Sequence, residues 1–583
     1  MEDAMRLERD RKGSWEVGTP LHSPARSWTS WASPVPGFKR HTSSNASDFD
    51  FELNIEEDVV ASSTHLDTDR HHCFDAGGKA RSKFEVEQLL ASPGNLPPPM
   101  TAKNREDSIR SVMPTATHEL LAKLPAKLLK ERTEQAQLLR RKLAKGATVV
   151  FISAGLAGKR FAFQRAAELG IKCVIIEHPD SWSANLVVDG TVAKFIPVDM
   201  TQSSDAIFQQ ALQHIRALAN DPQVGAADGI ATFVELSVPL VSRLCEALGL
   251  PGHRPSCVDA ARDKHCTRAA MAAAGLPTPR NSLIHKHSEL VAAGQHVRFP
   301  AVLKPVSGAA SLGVKKVCNM DELQKCYSEV VEELSTLVIS SGALIKADPA
   351  STTGRRASES VNLTVLLEQY LDGTEVDIDV VMSDGDWVYA AVSDNGPTLE
   401  PYFNETWAVS PSLLPREEQV ALKELAVGSV KALGFESGVF HVECKYTSTG
   451  PQLIEVNARM GGGQVHECNL QTWGVDLVEE TLFAALGITA GPMVQRNPLS
   501  GVAYCYLNAK RSGQVASIDA LAEIAKRDGV VWAKPLVAVG ASAVGPQDGL
   551  PTWLADLVVK KPTARKALDF LFQLEAEEPV RVA

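Results

Sequence analysis

The chain has 583 residues, which is enough for several compact domains that each bury a hydrophobic core. Its 44% hydrophobic and 22% charged residues are typical of a globular protein, and its net charge of -11 argues against a nucleic-acid-binding protein, which needs a basic surface. No apolar run reaches the length of a membrane span and the first residues lack a secretory signal, so we expect no membrane association and a cytoplasmic location.

The first 145 residues differ in composition from the rest of the chain. Residues 1–105 are rich in Ser, Pro and charged residues and have few periodic apolar positions, which predicts a disordered tail. Such a tail could bind a regulatory partner or serve no specific role. Residues 106–145 carry periodic leucines among many Lys and Arg residues, which predicts a helical segment that packs on the main body.

Residues 146–258 alternate short apolar strands with helices. The strand 148–152, a helix that stops near Gly170 and the strand 173–176 form a βαβ unit, which predicts a Rossmann-like parallel α/β domain. The turn after the first strand contains Gly155, Gly158 and Lys159. It lacks the Ser or Thr that follows the lysine of a Walker motif, so we interpret it as a tight strand-to-helix turn.

A lysine, Lys304, ends the apolar strand 299–305 and precedes a loop of small residues. The N–H groups of such a loop can bind phosphate oxygens while the ammonium group offsets their charge. Small-residue loops also serve only to reverse the chain. The loop positions predicted to bind phosphate are Ser307, Gly308, Ser311 and Gly313.

The segment 365–380 joins an apolar strand to a second strand through a turn that contains Gly373. In the second strand acids alternate with apolar residues, so Glu375, Asp377 and Asp379 share one face. These three acids could bind a ligand or form the solvated side of the strand.

A predicted hairpin spans residues 438–459 and ends in a run of glycines. His441 and Glu443 share a face of its first strand. The positions predicted to share a face of its second strand are Leu453, Glu455, Asn457 and Arg459. Two carboxylates and an amide oxygen suit Mg²⁺, which combines a few protein carboxylates with substrate phosphates. The pattern therefore predicts a metal site at Glu443, Glu455 and Asn457, although either acid alone could form a structural ion pair.

The ordered series of lysine strand, small-residue loop, Glu-x-Tyr-Leu-x-Gly-x-Glu and Glu-x-Asn-x-Arg resembles the ATP-grasp superfamily. Residues 392–406 and 438–443 are similar to the carnosine synthases and related amino-acid ligases that make dipeptides. The resemblance implies a mixed α/β (α+β) ATP-grasp domain at 259–500 that follows the Rossmann-like domain. It also implies a small ATP-binding subdomain at about 265–370 with an insertion loop at 339–360, and a C-terminal α+β subdomain at 501–583.

The same resemblance implies ATP as a substrate, with one or two Mg²⁺ or Mn²⁺ ions held by Glu443, Glu455 and Asn457. Arg459 would lie on the reacting phosphoryl or carboxylate oxygens. The other residues implied to bind ATP are Lys264 and Lys304 at the phosphates, Glu368, Tyr370 and Leu371 at the adenine hinge, and Glu375 at the ribose.

The resemblance implies a ligase that activates a carboxylate as an acyl phosphate and joins it to an amine, for example β-alanine to L-histidine. Two alternatives stay open: a ligase for another amino acid or a different carboxylate, and a catalytically inactive ATP-binding scaffold. Glu405 could bind a substrate amino group or be an exposed loop acid, and His441 could contact a phosphate or only fill its strand face. Expected partners are ATP and small amino acids, and a homo-oligomer is compatible with the sequence.

Overall fold

The computed structural model describes residues 116–583 except 125, 308–312, 341–342, 347–354, 357–363 and 401–402. The predicted tail at 1–105 therefore lies outside the described residues, and so do Gly308, Ser311 and most of the predicted insertion loop 339–360. The disorder of the tail and its role in binding a partner stay predictions.

Within residues 116–147 the structure describes three helices, which fall in the predicted helical segment. Thr133 caps the third of them by accepting a hydrogen bond from the N–H of Ala136 at 3.2 Å. The buried Arg140 of the same helix donates to the carbonyls of Leu129 at 2.7 Å and Gly491 at 2.5 Å, which ties the segment to a distant part of the chain. The helices are α1 (Ala116–Lys123), α2 (Ala126–Lys130) and α3 (Glu134–Ala144).

A four-stranded parallel sheet follows, in the order β3-β2-β1-β4. Its strands are β1 (Thr148–Ile152), β2 (Lys172–Glu177), β3 (Lys194–Pro197) and β4 (Gly229–Ala231). Its helices are α4 (Arg160–Glu168), α5 (Ser204–Ala217) and α6 (Val238–Leu248). Every residue of β1 is buried, as expected for a central parallel strand. Because β1 pairs with β2 on one side and β4 on the other, the carboxyl ends of β1 and β4 flank a topological switch point, where such sheets bind ligands.

A second, antiparallel sheet has four strands in the order β5-β11-β6-β7. These strands are β5 (Asn281–Ile284), β6 (Ala301–Pro305), β7 (Lys315–Val317) and β11 (Val365–Gln369). The helices α7 (Pro255–Arg262) and α8 (Lys264–Ala273) precede this sheet in the chain, and α9 (Leu290–Val297) and α10 (Met320–Thr336) share its core. A small sheet branches from α10 and contains β8 (Leu337–Ser340), β9 (Ala343–Lys346) and β10 (Arg355–Arg356). The core of the four-stranded sheet includes Leu303, Leu323 and Leu367.

The largest sheet has eight strands in the order β16-β15-β12-β13-β14-β17-β21-β19. Its strands are β12 (Thr374–Ser383), β13 (Asp386–Asn395), β14 (Trp407–Ser410), β15 (Gly438–Thr447), β16 (Gly450–Asn457), β17 (Gly501–Asn508), β19 (Val530–Pro535) and β21 (Trp553–Lys561). The strands β17, β19 and β21, which follow residue 500, thus belong to the same sheet as β12–β16.

The remaining elements cover this sheet or extend the C-terminal end. They are the helices α11 (Arg416–Ala432), α12 (Val465–Trp473), α13 (Leu477–Ala485), α14 (Ala520–Ile524) and α15 (Ala564–Ala576), and the small sheet of β18 (Gly513–Ser517), β20 (Ser542–Ala543) and β22 (Arg581–Val582). The predicted mixed α/β fold class is confirmed. Among the helices that the structure describes, none combines the length and hydrophobicity needed to cross a membrane.

The register of the hairpin β15–β16 corrects one prediction. Glu443 lies opposite Glu455, whereas the next residue, Cys444, lies opposite Leu453, so Ile454 is the extra residue of a β-bulge. Leu453 is therefore buried in the same core as Cys444. The prediction that Leu453 shares a face with Glu455 was wrong because strict alternation fails at a bulge.

Candidate active site

A cleft of about 140 Å³ lies between the four-stranded antiparallel sheet and the eight-stranded sheet. Both sheets, the helix α8 and the linker between β11 and β12 contribute side chains to its wall. The predicted site residues that line it are Lys264, Lys304, Glu368, Tyr370, Leu371, Glu375, Glu443 and Glu455. Folding thus brings together residues that are spread over almost 200 positions of the sequence.

A buried ion cluster forms one wall of the cleft. Glu368, at the end of β11, accepts hydrogen bonds from Arg268 Nε at 2.7 Å and Nη2 at 3.2 Å, and it also pairs with Lys304. Although burial opposes ionisation, Arg268 and Lys304 lower the pKa of Glu368 to about 2. Burial lowers the pKa of Lys304 in spite of Glu368. Two cations share one carboxylate here, which leaves a net positive charge beside the cleft.

A second cluster brings the predicted metal ligands together. Glu443 and Glu455 lie directly opposite each other on β15 and β16, and the Asn457 amide nitrogen is 3.3 Å and 3.4 Å from their carboxylates. Lys264, at the start of α8, lies 2.5 Å from Glu455. Although burial opposes ionisation, Lys264 lowers the pKa of Glu455 to about 2. Burial and the proximity of Glu455 raise the pKa of Glu443.

This donor set fits a divalent cation. The two carboxylates lie opposite each other, Lys264 pairs with Glu455, and the repulsion from Glu455 helps to raise the pKa of Glu443. A cation between Glu443 and Glu455 would remove that repulsion, and Mg²⁺ usually takes only one or two protein carboxylates together with phosphate oxygens. Within the described residues no group of three or more His, Cys, Asp or Glu side chains is arranged as a metal site, so substrate oxygens would have to complete the coordination.

His441 lies next to this cluster on β15. Its Nδ1 is 2.9 Å from Asp379, and its Nε2 is 3.7 Å from Asp377. The pairing of β12 with β15 places Asp377 opposite Glu443 and Asp379 opposite His441, so the predicted acidic face of β12 turns towards the predicted metal ligands. Although burial favours the neutral ring, Asp377 and Asp379 raise the pKa of His441 to about 10. We therefore expect a cationic imidazole whose ring nitrogens are occupied by these two acids.

The linker between β11 and β12 forms the far end of the cleft. Tyr370 donates a hydrogen bond to Glu400 at 2.9 Å, and Lys316 lies 4.2 Å from the centre of its ring. Glu375 pairs with Lys445 across the strands at 3.5 Å. The turn requires a glycine at position 373, since a Cβ there would lie 2.0 Å from the carbonyl of Tyr446.

Of the predicted phosphate loop, Ser307 and Gly313 belong to the described residues. Ser307 lies two residues after the end of β6, the strand that carries Lys304. Gly313 has a φ of 73°, a conformation that favours glycine. Both residues therefore mark where the loop leaves and rejoins the sheet beside the lysine.

Glu405 lies on a loop that hydrogen bonds to Asn508 of β17 hold in place. The Asn508 amide donates to the Glu405 carbonyl at 2.8 Å, and Asn404 donates to Asn508 at 2.5 Å. Glu405 as a residue is exposed to solvent, although protein atoms surround its carboxylate closely enough to desolvate it. This desolvation, with Asp377 and Glu375 nearby, raises the pKa of Glu405 to about 7.

Arg459 lies outside the wall of this cleft and contacts the parallel α/β domain. Its Nε is 2.8 Å from Glu235, which follows β4, and its Nη1 donates to the Met460 carbonyl at 2.9 Å. Arg262, at the end of α7, pairs with the other oxygen of Glu235 at 2.9 Å. Sequence analysis did not identify Glu235, Arg262 or Arg268, because each one acquires its partner only through the fold.

Comparison with known proteins gives two family matches. A family described as an ATP-grasp domain matches residues 297–467, and a family described as an ATP-grasp N-terminal domain matches residues 163–252. The predicted relationship to the ATP-grasp superfamily is therefore confirmed. The second match lies within the parallel α/β part of the chain.

Among curated proteins, carnosine synthase 1 of Gallus gallus is 31% identical over 413 residues, which are 68% of this chain and 41% of that protein. Alanine--anticapsin ligase of Bacillus subtilis is 27% identical over 267 residues, which are 44% of this chain and 53% of that protein. The chain therefore spans about half or less of the length of these relatives.

Among solved structures, an L-amino acid ligase from Bacillus licheniformis matches with a TM-score of 0.61 and 22% identity. The alignment covers 75% of this chain and 98% of that chain. At this identity the match establishes a shared fold.

Proposed function

The chain contains an ATP-grasp domain, and from that premise we propose that it is an ATP-dependent ligase that joins the carboxylate of one amino acid to the amino group of another. The observation that carries the proposal is the pairing of Glu443 with Glu455 beside Lys264 in the cleft between the two sheets. A scaffold that only binds a nucleotide has no need of opposed carboxylates at the phosphate end of its cleft.

ATP would lie in the cleft with its adenine at the linker 369–371 and its phosphates towards Lys264 and Lys304. Glu368 holds Lys304 in place through the buried pair with Arg268, so the ammonium group is oriented before ATP arrives. Glu375, near the start of β12, lines the same cleft and would accept a hydrogen bond from the ribose.

Glu443, Glu455 and Asn457 would hold one or two Mg²⁺ ions. When bound, Mg²⁺ would neutralise charge on the phosphate oxygens during transfer. Lys264 already pairs with Glu455, and it would share that carboxylate with the ion or turn towards the phosphates.

The first chemical step would be attack of the substrate carboxylate on the γ-phosphorus of ATP, which forms an acyl phosphate and releases ADP. The amino group of the second substrate would then attack the acyl carbon, forming the amide and releasing phosphate. The protein contributes alignment and charge stabilisation by Lys264, Lys304 and Arg459. Glu405 would bind the substrate amino group as its counter-ion, a role that its exposure to solvent supports.

The similarity to carnosine synthase 1 favours β-alanine and L-histidine as the first substrate pair to test. The test measures ADP release from Mg·ATP over a matrix of amino-acid pairs, with products identified by mass. We expect ADP release that requires both substrates, together with a product whose mass is that of a dipeptide. Release with one carboxylate and a different amine would redirect the substrate assignment, and tight ATP binding without release on any pair would favour the scaffold.

A further inference from the structure

The turn after β1, interpreted from sequence as a simple strand-to-helix turn, carries Lys159 to the switch point of the parallel sheet. Lys159 lies directly before α4, and its ammonium group donates to the carbonyl of Phe233 in the loop after β4. Glu235 is two residues further along that loop and contacts Arg459 and Arg262. Two arginines therefore share one carboxylate beside the loop that Lys159 contacts, near the ends of β1 and β4.

The position of Lys159 is fixed by close packing of the two loops. Gly155 has a φ of 68°, and a Cβ there would lie 2.9 Å from a methyl group of Val234 and 3.2 Å from the Lys159 side chain. The indole nitrogen of Trp182 donates to the Gly155 carbonyl at 2.7 Å and holds the turn against the sheet. The lysine stem thus lies between two loops that touch.

The charge around Lys159 is unbalanced. Its contact is a neutral carbonyl, whereas Glu235 is shared between Arg262 and Arg459. Burial, and then repulsion from Arg459, lower the pKa of Lys159 to about 7. An anion that entered the crevice would offset both effects, because an opposite charge stabilises the ammonium form.

We propose that Lys159 and Arg459 form a subsite for the carboxylate group of an amino-acid substrate, with Glu235 and Arg262 positioning Arg459. This inference rests on the proposed ligase function and assigns a binding role to the parallel α/β domain. A carboxylate is favoured over a phosphate of ATP because the cleft already supplies Lys264 and Lys304 for phosphates, and Lys159 projects from a different sheet.

The kinetic test compares Lys159→Met with Arg160→Met, an adjacent substitution of an exposed cation that pairs with Asp189. Loss of a charged hydrogen bond to the substrate predicts that Lys159→Met raises the KM for one amino acid by about 10-fold or more. The KM for ATP should stay within about 2-fold of wild type, since ATP is proposed to bind elsewhere. Lys159→Arg should restore part of the loss, and Arg160→Met should match wild type.

Unchanged amino-acid KM values in Lys159→Met would overturn the inference, and so would a rise in the KM for ATP alone, which would assign the lysine to a phosphate. Equal melting temperatures of Lys159→Met and Arg160→Met would exclude misfolding as the cause of a loss.

A binding experiment separates this inference from the ligase proposal. Calorimetric titration of β-alanine and each standard amino acid into the protein with Mg²⁺ and a non-hydrolysable ATP analogue requires no turnover. Binding that is weakened about 10-fold in Lys159→Met would support the subsite even if no pair released ADP. Equal binding by wild type and Lys159→Met, or no binding of any amino acid to wild type, would contradict it.

Discussion

The cleft between the two antiparallel sheets and the crevice around Arg459 differ in where the partners of their ion pairs lie in the sequence. In the cleft, Glu368 and Glu455 belong to the ATP-grasp series, and they pair with Lys304 and Lys264, which the resemblance implies as phosphate ligands. In the crevice, Arg459 depends on Glu235, which lies more than 200 positions earlier in another domain. The motif series therefore reveals the cleft, whereas the crevice becomes visible only in the folded chain.

The largest expected effect concerns the opposed carboxylates of the cleft. Glu455→Gln removes one of two charges that could hold a cation, so we expect ADP release to fall by about 1,000-fold or more. Glu417→Gln, an exposed glutamate on α11, is the matched control and should retain wild-type activity. Activity of Glu455→Gln within a few fold of wild type would break the assignment of this cluster to metal and phosphate.

The next effect is on stability and tests whether the cleft wall is a true buried ion cluster. Arg268→Met leaves Glu368 with Lys304 as its remaining cation in a dry environment, so we expect a loss of about 3 kcal/mol in the free energy of unfolding. The measurement is the urea-denaturation midpoint. Arg160→Met, which breaks an exposed pair with Asp189, should leave the midpoint close to that of wild type. Similar midpoints for the two variants would show that burial of the pair has little energetic consequence.

A smaller effect is expected in the crevice. Glu235→Gln keeps the shape of the side chain but removes the charge that orients Arg459, so we expect kcat/KM for the amino-acid substrate to fall by about 10-fold with little change for ATP. If the loss were as large as that of Glu455→Gln, the two regions would have to be regarded as a single catalytic unit.

Local sequence patterns predicted much of the fold and of the candidate site. The two-residue strand period placed Glu375, Asp377 and Asp379 on one face, and the register of β12 against β15 agrees with that prediction. The same rule failed at Leu453, because the bulge at Ile454 reverses the facing of every residue before it. A bulge of this kind depends on pairing geometry and carries no reliable local signal.

The residues that the sequence did not reveal have contacts with residues far away in the sequence. Arg268 lies one helical turn after Lys264, a spacing that places both on one side of α8, but its partner Glu368 is 100 positions away. Lys159 lies in a turn whose glycines only partly match a nucleotide loop, so the local pattern gives no sign of its contacts with the loop after β4. Long-range ion pairs between domains follow from the packing of sheets, which a single sequence does not specify.

If the cleft forms an acyl phosphate, an oxygen atom passes from the substrate carboxylate to the phosphate that is released, and isotope labelling detects this transfer. The carboxylate substrate found in the matrix is labelled with ¹⁸O in its carboxyl group and converted with Mg·ATP and the amine. An acyl-phosphate mechanism predicts one ¹⁸O atom in each phosphate released and none in the adenine nucleotide. Label in AMP, or unlabelled phosphate alongside dipeptide, would contradict it.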